Sequence, residues 1–210
     1  MTSARDEVLA RVRGALGEGA VAPPVPRAYR NSGDYAPGSP ELATQLVDRL
    51  EDYRAVVVRT PDDDQSIGIA VAQALSHRGI HQVITPPGLP AEWTAQGLDV
   101  RKDPGAATPR ELDTIPAVVT GSAVAVSETG TIVLDGSARC GRRAITLVPD
   151  THVCVVATRD IVQTVPEGLR RLDPARPLTL ISGPSATSDI ELSRVEGVHG
   201  PRTLVVVLAG

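Results

Sequence analysis

The amino-acid sequence predicts an α/β fold: a mixed sheet with helices on both faces. Short runs of β-branched residues alternate with helical segments over residues 39–84, which is typical of a parallel βαβ unit. Several β-rich runs then follow one another closely between Ala117 and Leu134, with glycines at the breaks, before strands and helical patterns alternate again. This order favours a mainly parallel sheet with an antiparallel insert.

The N-terminal segment predicts a short amphipathic helix followed by a linker. Ser3 is a suitable N-cap for an apolar stripe that begins at Val8. Residues 17–40 are rich in glycine and proline and have no sustained period, as expected of a linker. We therefore divide the chain into an N-terminal helical arm with its linker, residues 1–38, and an α/β domain, residues 39–210.

Within the domain, Ser39 and Pro40 begin a helix as N-cap and first helical residue, and Gly79 closes the next one. Runs of Val, Ile and Leu bounded by turn residues predict the strands. The expected helices are 40–53, 67–76 and 161–172, and the expected strands are 55–58, 82–84, 117–119, 123–126, 131–134, 144–148, 153–156, 178–181 and 204–208.

Composition limits the classes of function. The formal net charge of -4 offers no basic excess, so nucleic acid and anionic membranes are not expected as main partners. The N-terminus lacks the apolar core of a signal peptide and no apolar run reaches membrane-spanning length, which predicts a cytoplasmic protein. Two cysteines cannot supply the four thiolates of an iron–sulfur cluster, and no zinc-type spacing occurs, so no cofactor or metal is expected in this chain.

Two polar loops near the C-terminus are the richest in functional groups. Residues 181–191 and 197–202 combine hydroxyls, glycines, carboxylates, a histidine and an arginine, and they lie between the last two predicted strands. Ligands of open α/β sheets bind at loops that follow the carboxyl ends of strands. We therefore expect the functional edge of the sheet here.

These loops also carry a family resemblance. Together with Glu128-Thr129-Gly130-Thr131, which continues into an apolar strand, they resemble the LUD domain of the lactate-utilisation protein C family from Ser39 to the end of the chain. The resemblance implies a fold like that of CoA-transferases, ribose-phosphate isomerases and glucosamine-phosphate deaminases. It also implies a soluble subunit of a system that oxidises L-lactate to pyruvate, whose iron–sulfur clusters reside in partner subunits.

The candidate site residues come from three segments. Glu128 is a candidate nucleophile or base, since a glutamate is the nucleophile of CoA-transferases, and His199 is a candidate proton carrier. Small hydroxyl residues and glycines suit an anion, and an arginine suits a carboxylate. The candidate substrate-binding residues are Thr129, Gly130, Thr131, Ser182, Gly183, Ser185, Asp189 and Arg202.

Structural interpretations of the same residues remain open. The turn at Glu128 is also what a β-hairpin requires, and Ser188 and Glu191 also fit a helix capping box. Arg202 is equally suited to an ion pair with Asp189 or Glu191 that joins the two loops.

Outside these segments the sequence offers weaker candidates. The segment Arg139–Arg143 surrounds Cys140 with positive charge, which predicts either a reactive thiolate or an ordinary solvated basic loop. Cys154 is expected in the core, His152 at a strand edge, and His77 and His81 on the surface.

Two functional hypotheses follow. The first is a non-iron–sulfur subunit of a lactate-oxidising complex, which binds a small carboxylate or assembles with the iron–sulfur subunits rather than acting as an enzyme alone. The alternative is a stand-alone enzyme, like a CoA-transferase or a sugar-phosphate isomerase, that uses Glu128. A purely structural subunit is a third interpretation.

Overall fold

A computed structural model describes residues 3–17, 23–187, 195–197 and 199–210. Its helices are α1 (Ala4–Leu16), α2 (Pro40–Asp52), α3 (Asp64–Ser76), α4 (Pro109–Asp113), α5 (Arg143–Leu147) and α6 (Val165–Arg170). Its strands are β1 (Val56–Thr60), β2 (Gln82–Thr85), β3 (Asp99–Lys102), β4 (Ala117–Thr120), β5 (Val124–Val126), β6 (Thr131–Leu134), β7 (Thr151–Ala157), β8 (Ile161–Val162), β9 (Thr179–Ile181), β10 (Ala186–Thr187), β11 (Val195–Glu196) and β12 (Thr203–Ala209).

Six parallel strands form the main sheet, in the order β1-β12-β7-β4-β2-β3. Strand β12 pairs with β1 on one side, Val205 opposite Val56, and with β7 on the other, Val205 opposite Val153. All seven residues of β7 are buried, which explains the uninterrupted apolar run at this point of the sequence.

Helices cover both faces of the main sheet. On one face α3 and the 3₁₀ turn at Trp93 pack against alternate residues of β7 and β12, among them Val153 and Val205. On the other face α2 contributes Leu42, Leu46 and Leu50, each fully buried. The predicted α/β fold class, with a parallel sheet and helices on both of its faces, is confirmed.

The antiparallel pairing is concentrated in a second sheet that lies between α2 and α6. Its order is β8-β5-β6-β9, in which β6 runs antiparallel to both β5 and β9, while β5 and β8 are parallel. A short antiparallel pair, β10 and β11, stands apart from both sheets. The expected antiparallel insert is thus a separate sheet rather than part of the main one.

Two predicted elements are wrong. Residues 144–148 form helix α5 rather than a strand, because a short apolar run has no periodicity that distinguishes the two. Residues 161–172 form β8 and then α6 rather than one helix. Thr164 and Glu167 form a capping box, and α6 begins at Val165, four residues later than the apolar pattern suggests.

Part of the predicted linker is bound to the domain. We call residues 30–38 the strap, because backbone groups along it are held by the second sheet and α6. The side-chain oxygen of Gln163 accepts hydrogen bonds from the backbone N–H groups of Asp34 and Tyr35, at 2.6 and 3.1 Å. The N–H of Gly38 donates to the carbonyl of Ile161 at 2.9 Å. The division of the chain at residue 38 stays a prediction, but these contacts cross it.

Candidate functional site

The site begins at the amino edge of the main sheet. The segment His199–Arg202 leads into β12 and therefore lies where that strand starts, not where a strand ends. The Thr203 N–H donates to the carbonyl of Asp150, the residue before β7, at 3.1 Å. The expectation that the functional loops follow carboxyl ends of the main-sheet strands is wrong for this segment, because β12 is parallel to its neighbours and runs away from it.

The two C-terminal loops are hydrogen-bonded to each other. The Ser185 N–H donates to the carbonyl of Pro201 at 2.9 Å, and the Ser185 hydroxyl accepts from the N–H of His199 at 3.0 Å. The carbonyl of Ser185 in turn accepts from the N–H of Gly197 at 3.0 Å. These bonds bring Ser182–Ser185 together with His199 and Pro201 in the lining of one cavity.

We call this space the inner cavity. Its volume is about 140 Å³, and both loops line it together with Leu147, His152 and Leu204. Ser182, Gly183, Ser185 and His199 supply its polar groups on the loop side. The inner cavity therefore unites two of the three predicted segments.

Outside it lies a larger polar space, the amino-edge cleft, of about 580 Å³. His199 lines both the inner cavity and the cleft. Arg202 lines the cleft but is not among the described residues that line the inner cavity. Arg202 Nε lies 2.5 Å from Asp150 Oδ1, and both side chains are about half exposed. The arginine therefore places positive charge beside His199, but it is already engaged by a carboxylate.

Hydroxyl groups connect the third segment to the cavity wall. Thr131 Oγ1 lies 2.8 Å from Thr129 Oγ1 on one side and 2.8 Å from Ser182 Oγ on the other. Ser182 follows β9, which pairs with β6, so the antiparallel ladder fixes this alignment. The turn at residues 128–131 thus contacts the inner cavity through Thr131 and Ser182.

Helix α2 explains why glycines occupy these two loops. Gly130 has φ +61°, and a Cβ there would lie 2.8 Å from the Cβ of Arg49. Gly183 has φ +98°, and a Cβ there would lie 2.6 Å from the Cβ of Tyr53. Because Arg49 and Tyr53 are one helical turn apart at the end of α2, that turn seats both loops.

Glu128 faces away from this cavity and towards the strap. Its carboxylate accepts a hydrogen bond from Arg30 Nη1 at 2.7 Å and from Gln163 Nε2 at 3.2 Å. The side chain is about one third exposed, and it does not appear among the described residues that line either space. The structure therefore joins the neighbours of Glu128 to the cavity wall, but places its carboxylate in a different cluster.

At the inner wall of the cavity, His152 lies within β7 and is only 1% exposed, so its predicted edge position is wrong. Its Nε2 lies 2.8 Å from the Thr120 hydroxyl, which donates to Cys154 Sγ at 3.8 Å. Burial lowers the pKa of His152 to about 4 and raises the pKa of the Cys154 thiol to about 12, because each charged form would be desolvated. Both groups are neutral near pH 7. No sequence pattern pointed to His152 beyond its position at the start of an apolar strand.

Two arginines of the basic loop at Arg139–Arg143 are held by contacts with the rest of the domain, and its cysteine is buried. Arg142 binds both oxygens of Asp103, at 2.7 and 3.0 Å, and this hydrogen bonding lowers the pKa of that carboxyl group. The guanidinium of Arg139 stacks over Trp93 at 5.2 Å. Cys140 is fully buried, and burial raises the pKa of its thiol, which opposes formation of a thiolate.

Three of the residues singled out in the sequence cannot be placed in the site. Asp189, Ser188 and Glu191 lie outside the described residues. Within the described part of the chain, no group of three or more His, Cys, Asp or Glu side chains is arranged to hold a metal ion. The described helices include none that is long and apolar enough to cross a membrane.

Comparisons with known proteins agree with the fold. A family model described as the LUD domain matches residues 34–209. Lactate utilization protein C of Deinococcus radiodurans is 49% identical over 174 residues, which cover 81% of this chain and 80% of that protein. Lactate utilization protein C of Bacillus subtilis is 30% identical over 131 residues, which cover 57% of this chain and 54% of that protein. A crystal structure of a DUF162 family protein from Deinococcus radiodurans superimposes with a TM-score of 0.69 and 41% identity, over 81% of this chain and 97% of that one.

Proposed function

This chain belongs to the LUD domain family, and on that basis we propose that it acts in lactate utilisation as a subunit that binds a small carboxylate in the inner cavity. The family match and the relatives named lactate utilization protein C support the role in lactate utilisation. The inner cavity is the observation that supports the ligand, because two loops separated in sequence converge there with hydroxyl, backbone and imidazole groups.

The polar groups suggest how the carboxylate is oriented. His199 lies where the inner cavity meets the amino-edge cleft, Ser185 lines the inner cavity, and Arg202 and Asp150 line the cleft. A ligand carboxylate placed at this end accepts hydrogen bonds from the imidazole and the hydroxyls, close to the positive charge of Arg202. The opposite end of the ligand then faces His152 and Leu204.

Calorimetric titration with L-lactate, pyruvate and propionate tests the site. We expect all three acids to bind the purified chain, and His199→Ala to weaken each of them about tenfold, because a charge-assisted hydrogen bond is lost. His77→Ala is the matched control, since His77 is exposed at the end of α3. Failure of all three acids to bind contradicts the carboxylate site.

Assembly with iron–sulfur subunits is the second part of the proposal. Both cysteines lie in the core, which supports assigning the iron–sulfur clusters of lactate oxidation to other chains. Tagged chain expressed in its native host on lactate is expected to co-purify with proteins that carry iron–sulfur absorbance. Recovery of the chain alone, from cells that are actively consuming lactate, contradicts the assembly.

The alternative, an enzyme that uses Glu128 as a nucleophile, has less support. The Glu128 carboxylate is held by Arg30 and Gln163, and attack on a substrate requires the strap to release it. Incubation with acyl-CoA substrates, followed by borohydride reduction and peptide mass spectrometry, distinguishes the two functions. A trapped adduct on Glu128 favours the alternative.

A further inference from the structure

The inner wall of the inner cavity carries a buried imidazole with one ring nitrogen committed to the protein. His152 is 1% exposed, lines the cavity, and uses Nε2 to contact the Thr120 hydroxyl at 2.8 Å. Within the described part of the chain, no hydrogen bond is made by its other ring nitrogen, Nδ1. A polar atom at a cavity wall that has no protein partner is a group that a ligand can satisfy.

Two sulfur contacts beyond His152, each 3.8 Å long, favour one of its two neutral tautomers. A carbonyl oxygen only accepts, so the Cys154 thiol donates to the carbonyl of Gly121, at 3.8 Å. The Thr120 hydroxyl donates its single proton to Cys154 Sγ, and its oxygen is then left to accept from His152 Nε2–H. This chain of donors leaves Nδ1 unprotonated, as a hydrogen-bond acceptor.

The opposite tautomer is less favourable. If Thr120 donates to Nε2, the proton moves to Nδ1, and an N–H at the cavity wall then lacks a partner among the described residues. Buried N–H groups without acceptors are rarer in proteins than unsatisfied acceptors. Because burial holds the pKa of His152 near 4, the imidazole stays neutral and keeps one acceptor nitrogen at physiological pH.

We propose that His152 is a specificity-determining residue that accepts a hydrogen bond, through Nδ1, from the 2-hydroxyl group of a short hydroxy acid bound in the inner cavity. This inference rests on the proposed carboxylate site and names the ligand class that the site prefers. A volume of about 140 Å³ corresponds to about four or five water molecules, which suits an acid of a few heavy atoms. A 2-keto acid has no proton to donate at this position, so it leaves Nδ1 unsatisfied.

Binding selectivity provides the first test. We expect the unmodified chain to bind L-lactate about tenfold more tightly than pyruvate or propionate, which is the value of one additional hydrogen bond. His152→Leu is expected to weaken L-lactate about tenfold and to leave propionate unchanged. Thr120→Val, which removes the acceptor for Nε2–H, is expected to reduce the selectivity without removing the imidazole. His77→Leu is the matched control, and melting temperatures verify that each variant is folded.

The tautomer provides a second test that needs no ligand. The chain has four histidines, so a two-bond proton–nitrogen correlation spectrum of labelled protein is simple, and the His152 signals are those missing from His152→Leu. We expect the Nε2–H form, with a change at Nδ1 when L-lactate is added but not when propionate is added.

The outcomes separate the two proposals. Equal binding of the three acids, or an Nδ1–H tautomer in the unmodified protein, overturns the inference about His152 and leaves the carboxylate site standing. Wild-type selectivity in a folded His152→Leu chain also overturns it. If none of the acids binds, the carboxylate site is wrong, and the inference fails with it.

Discussion

At the scale of single residues, burial decides what the titratable groups can do. His152, Cys140 and Cys154 are all buried. Burial lowers the pKa of the histidine and raises the pKa of both thiols, and each shift favours the neutral form. Arg142 is different because it neutralises a buried carboxylate, that of Asp103. The described nucleophilic and basic groups of the core are therefore held uncharged or paired.

The low pKa of His152 makes stability depend on pH. The unfolded chain binds a proton to this residue below about pH 6.5, while the folded chain resists protonation down to about pH 4. The free energy of unfolding is therefore expected to fall by about 3 kcal/mol as the pH drops from 6.5 to 4, with the full contribution present above pH 6.5. Denaturant melts between pH 4 and 8 measure this change. His152→Leu should reduce this fall, and an unchanged pH profile in that variant contradicts the assignment.

At the scale of elements, the strap and the second sheet depend on one side chain. Gln163 is 5% exposed, and its amide group bonds to two backbone N–H groups of the strap and to the Glu128 carboxylate. Glu167 adds a bond to the N–H of Gly33 at 3.2 Å while it caps α6. An ordinary linker has no such contacts, so residues 30–38 are part of the packed structure.

Gln163→Ala is expected to lower the free energy of unfolding by about 2 kcal/mol, because it leaves partly buried N–H groups without acceptors. Urea melts of this variant and of Gln73→Ala, an exposed control on α3, measure the difference. A loss no larger than that of the control shows that the strap does not depend on Gln163.

The elements also show what sequence patterns can and cannot predict. The buried strands β7 and β12 and helix α2 were predictable, because long apolar runs and a Leu42, Leu46, Leu50 stripe have one plain interpretation. The five-residue helix α5 was not, because one turn and a half of helix leaves no periodicity. The strap was missed because most of its bonds to the domain are made by its backbone groups, which leave no trace in side-chain identity.

The site shows the same limit at longer range. The convergence of Ser185 and His199 was predictable from their positions at strand boundaries. The edge of the sheet at which His199 lies was predicted wrongly. The orientation of Glu128 depends on Arg30, almost a hundred residues away, and His152 on a partner in another strand. Roles for the predicted site residues remain predictions that the proposed titrations test.

At the scale of the whole molecule, the core begins at Leu42. Within the described residues, none before Leu42 is buried, and α1 has no buried residue. Deletion of residues 1–22 is therefore expected to leave the melting temperature unchanged. Deletion of residues 1–38 also removes the strap, and is expected to lower the melting temperature by several degrees while unfolding stays cooperative. Equal melting temperatures for the two truncated chains contradict a stabilising role for the strap.

The isolated chain is expected to bind no iron–sulfur cluster and to oxidise no lactate. Its two thiols are buried, and a cluster normally requires four. Anaerobic reconstitution with iron and sulfide, followed by visible spectroscopy, checks this expectation. A stable cluster absorbance that disappears in Cys140→Ser contradicts it.

The order of strands in the main sheet has a consequence for how the chain is synthesised. Strand β1 lies at the sheet edge beside β12, and Val56 meets Val205, so its partner leaves the ribosome about 150 residues later. Strand β7 pairs with β12 as well, so one of its two edges also lacks its partner until β12 has been synthesised. Until then, one edge of each of these strands is exposed and its backbone groups have no partner, which is the condition under which nascent chains associate wrongly. We expect translation arrested before Thr203 to yield nascent chains that recruit chaperones, and release of the full chain to free them.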